Sequence, residues 1–302
     1  MQSLHRGRAL AGLFIRRTLP REPVLSQQSR FFTSSPQSRL PNISAKRPRQ
    51  PTMNSYQVAL NSIRHYGGYQ PSRYHSTKLM VNAIIGLNIA VFGAWVYADT
   101  TRDGKLQKLL MNNATLSWYN ARAKRYWTVI TSAFSHKDLM HIAFNMVSFN
   151  AFAGVLCFAG GVGVGPVHVM ALTLGSAIVG SASWLYQKRP TGRDKRWGPY
   201  GEHGPAAVRQ VGLGFSGVVM GVASAATMLA PMVPTGFLFI PVAVPMYVLT
   251  GAYFAWDLFW LNSNDNIGRS AHLGGAVFGV VYYLAALRGY GGVVQLLSRR
   301  RY

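Results

Sequence analysis

Gly212-Leu213-Gly214-Phe215-Ser216-Gly217-Val218-Val219-Met220-Gly221 opens an apolar run that extends from about Val211 to Ala230. A serine flanked by glycines, at the start of a membrane-length helix, contributes little to packing. A serine hydroxyl acts as a nucleophile only when a base takes its proton and donors hold the developing oxyanion. Two other apolar runs carry such groups. One begins His136-Lys137-Asp138-Leu139-Met140-His141-Ile142-Ala143-Phe144-Asn145, and the other Ala271-His272-Leu273-Gly274-Gly275-Ala276-Val277-Phe278-Gly279. Together the three runs predict a serine hydrolase site built inside a bilayer.

The composition agrees with a bilayer setting. Of the 302 residues, 49% are hydrophobic and 13% are charged. Soluble domains carry about 25% charged residues. The formal net charge is +23, which raises nucleic-acid binding as a rival. That rival is set aside, because the basic residues after position 79 separate apolar runs too long for a soluble nucleic-acid module. The single cysteine, Cys157, lies inside an apolar run and reads as a packing residue. No intrachain disulfide is possible and zinc-type cysteine spacing is absent, so the reading calls for no metal and no cofactor.

The chain divides by texture. Residues 1–39 hold Arg6, Arg8, Arg16, Arg17, Arg21, Arg30 and Arg39 against one acid, Glu22. Leucine and phenylalanine are interleaved with the arginines, the pattern of a mitochondrial transit peptide. Arg30, Phe32 and Ser35 have the spacing of a two-step processing signal, which places the final cut after Arg39. Residues 40–78, with Pro41, Pro48, Pro51 and Pro71, keep no apolar period and read as a disordered linker. Apolar runs of bilayer length then follow at about Leu79–Ala98, Leu139–Ala159, Pro166–Tyr186, Val211–Ala230, Thr235–Leu258 and Ala271–Leu287. The fold class predicted is an all-α polytopic membrane protein, a six-transmembrane-helix bundle over residues 79–290. Pro241 and Pro245 are expected to kink the fifth helix. Residues 291–302 read as a basic tail.

The long first connection, Asp99 to Asp138, mixes Trp118, Tyr119, Tyr126 and Trp127 with basic residues, which suits the membrane interface. Basic residues occur in that loop and in the C-terminal tail, on opposite faces. The positive-inside rule therefore does not fix the orientation.

Small residues set the expected packing. Gly217 and Gly221 are four apart, as are Gly275 and Gly279, a spacing that lets two helix backbones approach closely in a bilayer. Packing the fourth helix on the sixth would bring Ser216 to His272. No acid lies within either helix, so the expected site is a Ser-His dyad rather than a triad. His141 and Asn145 share one face of the second helix and can both donate to an oxyanion, joined by the Ser216 N–H. Each residue alone has a plainer reading. A serine in a membrane helix commonly bonds its own i−4 carbonyl, and an intramembrane histidine can serve a structural bond or a proton relay.

His136-x4-His141-x3-Asn145, Gly214-Phe215-Ser216-Gly217 and Ala271-His272-Leu273-Gly274-Gly275, in that order on three helices, resemble the rhomboid intramembrane serine proteases. The resemblance covers about Leu79–Leu287. It implies Ser216 as nucleophile, His272 as base, and His141 with Asn145 at the oxyanion site. It implies substrates with a single transmembrane anchor, cut in or near the lipid bilayer. Met220, one turn after the serine, and the transit-like leader resemble the mitochondrial, presenilin-associated branch. That branch implies an inner-membrane location, with a secretory membrane as the alternative, and substrates such as dynamin-related GTPases. It also places an extra helix before the core, which residues 40–78 do not suggest. Many rhomboids carry Trp-Arg in the first loop, whereas Trp127 is followed here by Thr128. Proteolytically inactive relatives, which act as binding or quality-control modules, usually lack the serine or the histidine; both are present. A transporter reading predicts repeated half-structures, and none is found.

Overall fold

A computed structural model describes residues 71–158, 163–190, 210–237, 240–263 and 267–299. The expected leader and processing site, most of the expected linker, and most of the loop after position 190 lie outside the described residues.

Helix α1, Pro71–Thr100, begins eight residues before the expected Leu79. Pro71 suits a first helical turn, where its missing N–H costs no intrahelical bond. Helices α2 (Gly104–Asn113), α3 (Trp118–Arg122) and α4 (Thr128–Thr131) fold the first connection into a cap. Asp103 caps α2 by accepting from the Lys105 and Leu106 N–H groups, and Ser117 caps α3 through the Asn120 N–H. Arg125 joins the cap to itself, donating to Asn112 Oδ1 and Asn120 Oδ1 at 2.9 Å each. Trp127 donates to Asn113 Oδ1 at 3.1 Å. The loop thus has its own polar frame without a Trp-Arg pair.

Helices α5 (Leu139–Phe158), α6 (Pro166–Gln187), α7 (Ser216–Leu229), α8 (Met246–Phe259) and α9 (Arg269–Tyr282) follow. The chain continues past α9 through a π turn and a 3₁₀ turn to Tyr290. Among the described residues, four spans are long and apolar enough to cross a membrane: Ser72–Thr100, Leu139–Phe158, Pro166–Gln187 and Arg269–Tyr290. Helices α7 and α8 have 14 residues each. That is about 21 Å, against a hydrocarbon core of about 30 Å. The expected start of the fourth helix at Val211 is therefore corrected to Ser216. Gly214, at φ +125°, turns the chain just before it, a conformation that L side chains rarely adopt.

The fifth expected helix is corrected as well. Residues Pro234–Phe237 (β1) and Ile240–Pro245 (β2) form an antiparallel hairpin, and α8 starts only at Met246. Pro241 and Pro245 lack the N–H that a helix interior needs, and their rings clash with the preceding turn. In the hairpin they cost less, and Pro245 becomes the residue that leads into α8. The expected tail also contains structure: Val293–Arg299 forms a last short helix, α10.

The core gathers where α5, α6, α7 and α9 meet. Phe149, Leu156, Leu172, Phe215 and Val222 are fully buried there. Glycine sets the spacing of α9 from its neighbours. A Cβ on Gly275 would lie 1.9 Å from the Gly217 carbonyl oxygen, and one on Gly279 would lie 2.0 Å from that of Gly221. On its other side α9 presses on α6, with the Ala271 carbonyl facing Gly180. Backbone contact of this kind replaces the hydrophobic drive that lipid cannot supply.

Candidate active site

Helix α7 is short and begins at Ser216. Flush at its far end, α7 would leave Ser216 roughly 10 Å inside the hydrocarbon layer. The preceding loop is pinned on three sides. Gly212 pairs with Leu116 of the cap through two backbone bonds of 2.8 Å. The Gly214 N–H donates to the Ser132 carbonyl at 3.0 Å. The Phe215 N–H donates to His136 Nε2 at 3.2 Å, and the Phe215 ring packs on Phe134 and Phe149. These contacts hold Ser216 at the head of its helix, where the first N–H groups have no intrahelical acceptor.

Ser216 Oγ lies 2.8 Å from His272 Nε2. His272 Nδ1 lies 2.9 Å from Asp257 Oδ2. An ionised carboxylate can only accept, so the proton sits on Nδ1 and the Nε2 lone pair faces the serine hydroxyl. The expectation that no acid stands beside His272 is thereby corrected. An acid does reach His272, and it comes from α8 rather than from α7 or α9. Its signal was available in the sequence as a lone aspartate inside an otherwise apolar run. Arg269, on α9, brings its Nε to 3.8 Å from Asp257 Oδ1, and both side chains are under 10% exposed. The buried carboxylate is thus paired.

The remaining expected residues fall in two layers. His141 lines a cavity of about 540 Å³ together with Ser216, Gly214, Gly217, Trp184 and His272. A Cβ on Gly214 would lie 2.7 Å from the His141 ring, so only glycine leaves that ring in place. Asn145 is buried one layer behind and is not among the described residues that line the cavity. Its Nδ2 lies 3.0 Å from His136 Nε2. His136 therefore accepts from both Asn145 and Phe215, a role the sequence did not assign to it. Gly217, Gly221, Gly275 and Gly279 all lie at the α7–α9 contact that carries Ser216 and His272.

His136 precedes the membrane-spanning part of α5. Burial, aided by His141 nearby, lowers its pKa from 6.5 to about 4. The neutral ring is what its two accepted bonds require. In the unfolded chain the ring binds a proton near pH 6.5, whereas in the fold it does so only near 4. Stability is therefore complete above about pH 6.5 and falls as pH drops towards 4, by at most about 3 kcal/mol. Heat-inactivation midpoints in detergent, followed from pH 7.5 to 4.5, are expected to fall through this window. A midpoint that stays level across it would contradict the role.

An apolar helical bundle that brings a hydroxyl, an imidazole and a carboxylate into series has the architecture of a polytopic membrane protein. The family model for the rhomboid domain matches residues 123–289, more than half of the chain, and the chain belongs to the rhomboid family. It is 30% identical over 209 residues to the RHOMBOID-like protein 12, mitochondrial, of Arabidopsis thaliana, covering 69% of this chain and 59% of that one. It is 28% identical over 219 residues to Rhomboid protein 1, mitochondrial, of Saccharomyces cerevisiae, covering 70% and 55%. With the Presenilin-associated rhomboid-like protein A, mitochondrial, of Danio rerio, identity is 27% over 231 residues, covering 73% and 49%. The chain thus spans between about half and six-tenths of the length of these curated relatives. The likeness places it in the mitochondrial branch, as a mitochondrial multi-pass membrane protein.

Proposed function

We propose that this chain is an intramembrane serine endopeptidase of the mitochondrial inner membrane, built on a six-helix bundle, that cuts proteins held by a single transmembrane anchor. One observation carries the reading: the continuous line from Asp257 through His272 to the Ser216 hydroxyl, with bonds of 2.9 and 2.8 Å, beside a cavity. A structural serine would bond its own helix and leave the imidazole to another partner.

The chemistry follows from the atoms. Ser216 Oγ attacks the scissile carbonyl carbon while His272 Nε2 takes its proton. Asp257 holds the imidazolium through Nδ1–H and remains ionised. The oxyanion is held by the His141 side chain and by the Ser216 N–H, with Asn145 supporting from behind. His272 then returns the proton to the departing amine, and the acyl-serine remains. Water reaches the acyl-serine from the cavity and His272 serves as base a second time, releasing the new carboxylate. The scissile segment must be unwound, because a helix hides its carbonyls; glycine in the substrate anchor would ease that unwinding. Dynamin-related GTPases of the inner membrane are a proposed substrate class.

The test is cleavage of a single-anchor reporter by the purified chain in lipid vesicles. Wild type should release the two fragments and Ser216→Ala should not. A Ser216→Ala protein that cuts at the wild-type rate would overturn the reading. His141→Ala should lower turnover by about 10²–10³-fold, the loss seen when a soluble serine protease gives up one oxyanion donor. Unchanged turnover in that variant would remove His141 from the oxyanion site.

A further inference from the structure

Asp257 reaches His272 from a helix whose other faces are largely exposed. Among the described residues of α8, only Met246, Thr250 and Asp257 are buried. Tyr247, Val248, Trp256, Leu258 and Phe259 point outward. Polar contacts fasten α8 to the bundle at both ends. Thr250 shares a bond of 2.8 Å with Thr227 of α7, and Asp257 engages α9 at the catalytic end.

The Asp257 carboxylate is divided between two residues of α9. Oδ2 faces His272 Nδ1 at 2.9 Å, and Oδ1 faces Arg269 Nε at 3.8 Å. Arg269 and His272 are three apart on one helix, so they present neighbouring groups on the same face. The guanidinium also reaches past Asp257, and its Nη1 donates to Ser263 Oγ at 2.6 Å in the segment that follows α8. A single cation on α9 therefore touches both the acid and the chain that carries it.

We propose that Arg269 is a positioning residue for the proposed hydrolysis: it docks the catalytic end of α8 so that Asp257 orients His272. Orientation of the base and docking of α8 are then one event. A shift of α8 by a few ångström removes the carboxylate from Nδ1, and the imidazole is free to rotate away from Ser216. Arg269 pairs with the far oxygen of the carboxylate and so fixes which oxygen faces the base. A guanidinium suits this task better than an ammonium, because its fork can meet Asp257 and Ser263 at once. The inference rests on the protease reading of the same site and adds to it a residue that never meets the substrate.

The test uses the full-length chain in vesicles and a fluorophosphonate probe that acylates the active serine. Arg269→Gln should lower the maximal labelling rate about tenfold, within the range of coupling between residues in one network. Half-saturation by the probe should stay at its wild-type value. In an Asp257→Asn background the same exchange should add almost nothing, because Arg269 acts through that carboxylate. Arg269→Lys, which keeps the charge and loses the fork, should fall between wild type and Arg269→Gln; it serves as the readout if Arg269→Gln does not accumulate. Wild-type labelling by both Arg269 variants, or a full additional loss on the Asp257→Asn background, would overturn the proposal. Either result is distinct from failure of the protease reading, which would show as label retained by Ser216→Ala.

Discussion

Ser216→Ala is expected to leave cleavage at background, with the chain still folded. The exchange removes one hydroxyl whose bond is to His272 and keeps the Cβ in place. His272→Ala is expected to do the same, since the hydroxyl is then left without a base. The double variant should be little worse than either single one, because the two side chains act as a unit and the first loss removes the step that the second serves. Asp257→Asn belongs to the same series at a smaller cost. It permits the wrong imidazole tautomer, and the corresponding exchange in a soluble triad costs about 10⁴-fold in rate. Reporter cleavage measured across the four variants checks the order. A double variant that multiplies the two single losses would contradict a shared step.

Gly275→Val is expected to abolish activity by a different route. The site for its Cβ is already occupied by the Gly217 carbonyl, 1.9 Å away. The obstacle is backbone, so no rotamer change relieves it, and α9 must move away from α7. Ser216 rides on one of these helices and His272 on the other. A displacement of an ångström or two breaks their 2.8 Å bond. Overpacking of this kind typically costs about 1–3 kcal/mol in a well-packed core, so loss of heat resistance should accompany loss of turnover. Gly86 of α1 provides the contrast, since a Cβ there meets nothing within 4 Å. Gly86→Ala should leave turnover and midpoint near wild type.

The meeting of Ser216 with His272 was legible because its motifs are local. Ser216, His272 and the glycines beside them lie within a few residues of one another on two helices, and four-residue spacing implies the face they share. The acid was not legible by that route. Asp257 sits on α8, and nothing within α8 states which neighbour its buried stripe meets. Only packing in three dimensions brings Asp257 to His272. The hairpin was missed for a related reason. Its residues are as apolar as those of a spanning helix, so hydropathy alone extends α8 back to Thr235. The decisive signal was backbone chemistry: Pro241 and Pro245 four apart, where a helix would lose two bonds and suffer two clashes. The early start of α1 at Pro71 was hidden by polarity. Its first turns carry Arg73, His75 and Lys78, and a helix that extends beyond the hydrocarbon layer needs no apolar stripe there. His136 escaped assignment because its role is to accept from the backbone of a distant loop, a pairing that no spacing announces.

Covalent labelling by a fluorophosphonate probe, followed by mass spectrometry of the labelled peptide, tests the central claim most directly. The reaction needs a hydroxyl activated by a base and is independent of which protein the enzyme cuts. The expected result is one adduct per chain, carried by Ser216, absent from Ser216→Ala and strongly slowed in His272→Ala. An adduct on another residue, or none on a folded wild-type chain, would contradict the assignment of Ser216 as nucleophile.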